Sequence, residues 1–197
     1  MNRATRDRFA SGTDQADLTT GNAVWETAPA VFDKLNRDFG PFDVDLCADA
    51  ARALCPVWFG PGSAHAPDAL LANWHEHGRI GYCNPPYGAF IGKILPVAKR
   101  EAARGFASVF QIPMRVTRPF REHILQGAAA LYFCDKRLIF WEHGAPRINP
   151  KTGKPDAALF DSIIVIYRPG VYAHAPDIGV WRVPPSQALR EHRAVVS

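Results

Sequence analysis

The sequence predicts an α/β fold built on a mainly parallel sheet, and three observations carry that prediction. Strand-like apolar runs alternate with helical segments through the middle of the chain, as parallel pairing requires, because each crossover needs a dozen or more residues. Two later runs, "AALYFCDKRLIFW" and "ALFDSIIVIYRPG", are joined by a Gly/Pro/Lys-rich connection instead of a helix, which predicts a hairpin-like pair of strands near the C-terminal edge. The chain has 197 residues, 47% of them hydrophobic, enough for one sizeable core. A single domain over 23–183 is therefore expected, between a tail over 1–22 and a C-terminal helix or tail over 184–197.

Each element has its own signal. Residues 1–22 are polar and charged with scattered Gly and Asp, so they bury little surface and are expected to be a mobile tail, with order beginning near Trp25. In "APAVFDKLNRDFG", Val31, Phe32, Leu35 and Phe39 fall at helical spacing and Gly40 stops the helix. "PFDVDLCA" alternates and then runs apolar, as a buried strand does, and "DAARAL" after it is predicted helical. "RIGYCN" reads as a short strand ending at prolines, "FIGKILPVAKREAARG" as a helix interrupted or kinked at Pro96, and "FASVFQIP" as the next strand. "RPFREHILQG" is the following helix, ahead of the late strand pair.

Composition excludes several classes. No apolar run approaches the roughly 20 residues of a membrane span. The four cysteines, Cys47, Cys55, Cys83 and Cys134, form no Cys-x-x-Cys pair, and no charged-then-apolar leader opens the chain; a reducing, cytoplasmic setting is expected. His75-Glu76-His77 lacks the spacing of a metalloprotease or base-deaminase site, so a surface turn and no metal are expected. Gly60-Pro61-Gly62 sits in no strand-to-helix frame and reads as a turn, and no Gly-x-Ser-x-Gly elbow is present. A net charge of +4 and a pI near 9.0 suit a polyanionic partner without requiring one.

The segment with chemical potential is "GYCNPPYG". Asn84 lies just past the end of a predicted strand, where open α/β sheets bind ligands. Pro85 and Pro86 fix φ and lack N–H groups, so Asn84-Pro85-Pro86-Tyr87 makes a stiff rim of acceptors. The Asn84 side-chain oxygen and the Pro85 carbonyl can accept from one exocyclic NH₂ while Tyr87 stacks on the ring that carries it. Such an amine is a weak nucleophile, and acceptors on its hydrogens offset the positive charge that develops as it attacks. The same letters also suit a plain strand-to-loop turn, and taken alone they leave both readings open.

The surrounding segments resolve more. "WETAPAVF", "FGPFDVDLCAD", "DALLANW", "CNPPYG" and "RLIF" occur in an order and approximate spacing that resemble the phage-type, Dam-like DNA N6-adenine methyltransferases, over roughly Trp25 to Tyr167. The resemblance implies a class I, Rossmann-like methyltransferase core: a mainly parallel seven-stranded sheet with one antiparallel strand and helices on both faces. It implies S-adenosyl-L-methionine as cofactor, double-stranded DNA as partner, and a bacterial or phage-infected cell as setting. By the same resemblance Asn84, Pro85, Pro86 and Tyr87 hold the target adenine. Asp45 and Ala48 look like the cofactor loop, with Asp49 a candidate for the ribose and Asp68 for the cofactor's adenine. Trp25, Thr27 and Pro29 resemble the segment packing over its methionine end. The family's "F-x-G-x-G" loop is absent here, with Ala48 the small residue at the close approach, and Thr27-Ala28-Pro29 separates a Thr and Pro that are adjacent in the pattern.

The connection from Glu142 to Asp156 carries Arg147, Lys151 and Lys154, and is either a DNA contact or a solvated loop. Arg115, Arg118, Lys136 and Arg137 follow later strands and can also meet phosphates; Arg137 can equally pair with an acidic neighbour. The expected function is methyl transfer to the N6 amino group of adenine, with the base flipped from the duplex into the Asn-Pro-Pro-Tyr pocket. Transfer to cytosine N4 or to an amino group of RNA or protein glutamine is the nearest alternative chemistry. A catalytically silent nucleic-acid-binding module of the same fold is the alternative from another class. The sequence specifies neither the recognition site nor the oligomeric state.

Overall fold

A computed structural model describes residues 25–170 and 175–188. The tail read over 1–22 and most of the segment read over 184–197 lie outside the described residues. The first helix, α1 (Pro29–Phe39), starts on a proline whose fixed φ suits the first helical position. Its Val31, Phe32 and Leu35 are buried, and it ends where the Gly40 N–H donates to the Asn36 carbonyl. The strands that follow are β1 (Val44–Asp45), β2 (Val57–Trp58) and β3 (Ile80–Cys83). Helix α2 (Ala89–Ala103) and β4 (Ala107–Pro113) come next, and then β5 (Ala130–Cys134). The hairpin strands β6 (Trp141–Glu142) and β7 (Ala145–Pro146) precede β8 (Ser162–Tyr167) and β9 (Asp177–Trp181).

Seven strands form one sheet in the order β2-β1-β3-β4-β8-β5-β9. All run the same way except β8, which is antiparallel to both β4 and β5. This is the mainly parallel seven-stranded sheet with one antiparallel strand that the family resemblance implies. Every residue of β8 is buried, because both faces of the sheet are covered and the strand therefore reads as an unbroken apolar run. On one face α2 packs with Trp74, Phe106, Phe110 and Ile163. On the other, α1 packs with Phe42, Tyr82, Val109 and Ile164. The strand order reverses between β1 and β3: β2 was laid on one side of β1, and β3 on the other. That reversal opens a crevice at the carboxyl ends of β1 and β3, the usual ligand position of such sheets.

Several local expectations are corrected. "DAARAL" forms a single turn, because the Leu54 N–H donates to the Asp45 carboxylate at 3.1 Å instead of to a helical carbonyl, and Pro56 lacks an N–H. "RPFREHILQG" is helical as read, but over Phe120–Ile124 it winds more widely than an α-helix, and the Leu125 N–H reaches the Phe120 carbonyl, five residues back. Helix α2 is not interrupted at Pro96 but continues through it. The run "AALYFCDKRLIFW" is not one strand: it leaves the sheet at Asp135, whose carboxylate accepts the Val183 N–H at 2.8 Å. Edge strand β9 has no counterpart in the sequence reading, because Asp177, Ile178 and Val180 are exposed and "DIGVW" lacks a buried alternation. Its Gly179 is required by packing, since a Cβ there would lie 2.8 Å from the Tyr132 ring.

Candidate active site

The site is assembled where β1 and β3 end side by side, with Asp45 in register with Tyr82. Beyond β3, Pro85 is buried and Asn84, Pro86 and Tyr87 are half-buried. The Asn84 amide nitrogen donates to the Trp25 carbonyl at 2.8 Å and to the Thr27 hydroxyl at 3.2 Å. A carbonyl can only accept, so this pair of bonds sets the orientation of the amide. Asn84 Oδ1 is then left buried, without a hydrogen-bond partner among the described residues. A buried acceptor left open costs about 1–3 kcal/mol, and a ligand N–H would satisfy it. The segment before α1 thus positions Asn84 through both Trp25 and Thr27, while Pro29 begins the helix that carries this segment.

Tyr87 stands in an aromatic cluster. Its ring meets Trp25, Phe140 and Phe160 edge-on, at centroid distances of 6.2, 6.0 and 5.4 Å. Trp25 and Phe160 are nearly parallel, 14° apart, at 5.8 Å. Burial holds the Tyr87 phenol protonated, and its hydroxyl also lacks a partner among the described residues. The Arg147 guanidinium lies over the outer side of this cluster, 5.1 Å from the Trp25 ring. Main-chain bonds between Glu26 and Trp141 run in both directions at 2.9 Å. The Glu26 carboxylate also accepts the His143 and Gly144 N–H groups at 3.1 Å each, tying the β6–β7 hairpin to the segment that holds Asn84.

The loop after β1 is close by: Cys47 Sγ is 3.4 Å from Cys83 Sγ. Asp45 is buried and accepts the Cys47 and Leu54 N–H groups, so its carboxylate shapes this loop from within. Burial raises its pKa to about 6 against the pull of those N–H groups. Ala48 is pressed against Gly60, where a Cβ would lie 2.0 Å from the Ala48 carbonyl oxygen. That close approach, at a positive φ of 152°, accounts for the first glycine of "GPG". Asp49 caps its own turn through the Ala51 N–H and pairs with Arg52. Asp68 accepts the Leu70 N–H at 2.8 Å in a separate turn, and no hydrogen bond links it to Asn84.

The basic candidates are dispersed. Arg147, Lys151 and Lys154 are exposed on the hairpin connection, with Arg147 alone reaching the aromatic cluster. Arg115 and Lys136 are exposed. Arg118 pairs with Glu122 at 2.7 Å and Arg137 with Asp161 at 3.3 Å, both at the surface. The structure also adds residues that the sequence reading passed over, namely Glu26, Tyr82, Gln111, Phe140 and Phe160. A lone glutamine inside the apolar run "VFQIP" is the clearest signal among them.

Residues 16–177 match the family model described as DNA N-6-adenine-methyltransferase (Dam). The chain belongs to that family. The family description assigns adenine N6 methylation of DNA at the level of the family, and its match extends across β1, β3 and the Asn-Pro-Pro-Tyr rim. No curated protein and no solved structure gives a significant match to the chain.

Proposed function

We propose that this member of the Dam family methylates the N6 amino group of adenine in double-stranded DNA, with the base flipped into the pocket formed by Asn84, Pro85, Pro86 and Tyr87. The observation that carries the reading is the buried, unpartnered Oδ1 of Asn84, held in place by two bonds on the other side of the same amide. An exocyclic amino group supplies the missing donor. S-adenosyl-L-methionine, when bound, supplies an electrophilic methyl group. The orphaned acceptor beside the loop after β1 fits that partnership, and the residues proposed to hold the cofactor are Trp25, Thr27, Pro29, Asp45, Ala48, Asp49 and Asp68.

What the chain's own groups do follows from their chemistry. Asn84 Oδ1 accepts an amino hydrogen and offsets the positive charge that grows on nitrogen during attack. The prolines keep this rim from relaxing, so little reorganisation accompanies the reaction. Tyr87 offers an aromatic surface to the base, and the aromatic cluster excludes water around it. A stacked base cannot present its amino group to Asn84 while inside the duplex, which is why flipping belongs to the reading. Arg147, Lys151 and Lys154 are proposed to meet the phosphate backbone, with Arg115, Arg118, Lys136 and Arg137 as further candidates.

The deciding experiment incubates the protein with S-adenosyl-L-methionine and duplex DNA, digests the DNA, and identifies the modified nucleoside. N6-methyldeoxyadenosine is expected. N4-methyldeoxycytidine would move the reading to cytosine, and unmodified DNA with tight cofactor-independent binding would favour the silent module.

A further inference from the structure

The open amide of Asn84 has a counterpart of opposite polarity. Gln111, on β4, is 1% exposed, and its Nε2 has no hydrogen-bond partner among the described residues. The register pairs Cys83 with Phe110, which puts Asn84, one residue past β3, alongside Gln111 on the neighbouring strand. A line of hydrogen bonds joins them. Asn84 Nδ2 donates to Thr27 Oγ1 at 3.2 Å, Thr27 Oγ1 lies 2.6 Å from the Tyr82 hydroxyl, and that hydroxyl donates to Gln111 Oε1 at 3.2 Å.

Each hydroxyl has one proton, so the line runs in a single direction. Tyr82 gives its proton to Gln111 and therefore accepts that of Thr27, which in turn accepts from Asn84. The Trp25 carbonyl anchors the Asn84 amide, and in this order Gln111 turns its Oε1 to Tyr82. Its two ends leave an acceptor on Asn84 and a donor on Gln111, both buried and both unmet. Two such orphans on adjacent strands, joined by an otherwise satisfied network, are complementary to a ligand edge that carries a donor beside an acceptor.

We infer that Gln111 is a specificity-determining residue, whose Nε2 donates to the ring nitrogen next to the amino group that Asn84 receives. The edge so read is an amidine: an amino group on a ring carbon with an adjacent acceptor nitrogen. In adenine these are N6 and N1. The inference rests on the proposed function and adds the second contact by which the pocket reads its base.

The test compares three duplexes of one sequence, in which adenine is unmodified or replaced throughout by 1-deazaadenine or 7-deazaadenine. 1-Deazaadenine keeps the amino group and loses the N1 acceptor; 7-deazaadenine loses the remote N7. The wild-type protein is expected to lose on the order of tenfold to a hundredfold in kcat/KM on the 1-deaza duplex and little on the 7-deaza duplex. Removing N1 also weakens the base pair, which by itself eases extrusion, so a loss points to the pocket. Gln111→Met and Gln111→Leu both remove the donor together with the acceptor for Tyr82, and neither brings a group that burial would protonate. Either variant is expected to lose a similar factor on unmodified DNA and to bring the ratio of the two substrates close to one.

Equal turnover of the adenine and 1-deaza duplexes by the wild type overturns the inference without touching the methyltransferase reading. So does equal loss on both deaza duplexes, or a soluble variant that keeps the discrimination. The wild-type comparison decides the matter even if neither variant folds. Absence of transfer to the unmodified duplex overturns the methyltransferase reading, and this inference with it.

Discussion

Asn84 divides its amide: the nitrogen is consumed by the fold, through Trp25 and Thr27, and the open oxygen is proposed to receive the substrate amino group. Asn84→Ala removes the acceptor and is expected to lower kcat by on the order of a hundredfold or more while cofactor binding persists. Single-turnover methyl transfer alongside calorimetric cofactor titration checks this, and full activity in the variant refutes the role. Asp45 illustrates the opposite arrangement, a carboxylate committed to its own loop. Its pKa, raised by burial to about 6, means that the folded state binds the proton more tightly than the unfolded one. Its contribution to stability is therefore greatest below its ordinary range and is lost as pH rises to about 6, a change on the order of 3 kcal/mol. Asp45→Asn is expected to abolish that component. Asparagine stands in for the neutral acid, so the wild-type unfolding free energy should fall relative to the variant's from pH 4 to pH 7, and a difference independent of pH would count against this account.

At the scale of elements, the polar connection "EHGAPRINPKTGKPDA" was legible only as a long loop with three cations. The structure folds its first part into the β6–β7 hairpin and bridges the rest through Ile148 and Pro155. Glu26 fastens this hairpin to the segment that orients Asn84, and the cation–π contact of Arg147 with Trp25 lies on the same path. The element is proposed to carry DNA contact to the pocket. Reversing the charge of Arg147, Lys151 and Lys154 together is expected to weaken duplex binding and to flatten the log–log salt dependence by up to about 3. Fluorescence-anisotropy titrations across a salt series measure this, and unchanged binding eliminates the phosphate role. Alternation could not disclose the hairpin, because strands of two residues are too short to carry a periodic signal.

Across the whole molecule, stability and site are kept apart. The loops proposed to hold cofactor and base meet at the carboxyl ends of β1 and β3, whereas Glu101 anchors α2 to the short turn Trp74–Glu76 through His75 at 2.7 Å, beside Arg100 and Arg104. Burial alone pushes the Glu101 carboxyl upward, but bonds from His75 and Arg100 outweigh it and hold it below its ordinary value. The sign is thus opposite to that of Asp45: this stabilisation is present above the ordinary carboxylate range and is lost as pH falls through the lowered value. Glu101→Ala leaves cationic partners that can return to water and is expected to cost about 1–3 kcal/mol at neutral pH, with methyl-transfer activity preserved in the folded fraction. Urea unfolding at pH 7 and at acid pH checks both size and sign; a deficit that persists undiminished in acid would contradict it.

The sequence by itself determined the sheet class, the apolar antiparallel strand β8, and the position of Asn84 at a strand end. These depend on local composition and order: "SIIVIY" is apolar throughout because it is covered on both faces, and prolines end β3 wherever the rest of the chain goes. Only the tertiary structure decided that "DAARAL" stops after one turn, that β9 completes the edge, and that Thr27, Tyr82, Asn84 and Gln111 form one polar line. Those outcomes rest on contacts between residues far apart in the chain: Thr27 and Tyr82 are separated by 55 positions, and Asn84 and Trp25 by 59. Periodicity and propensity report on neighbours along the chain. A hydrogen bond between two strands and a preceding segment leaves no periodic trace, so the polar line ending on Gln111 became visible only once the sheet had brought its strands together.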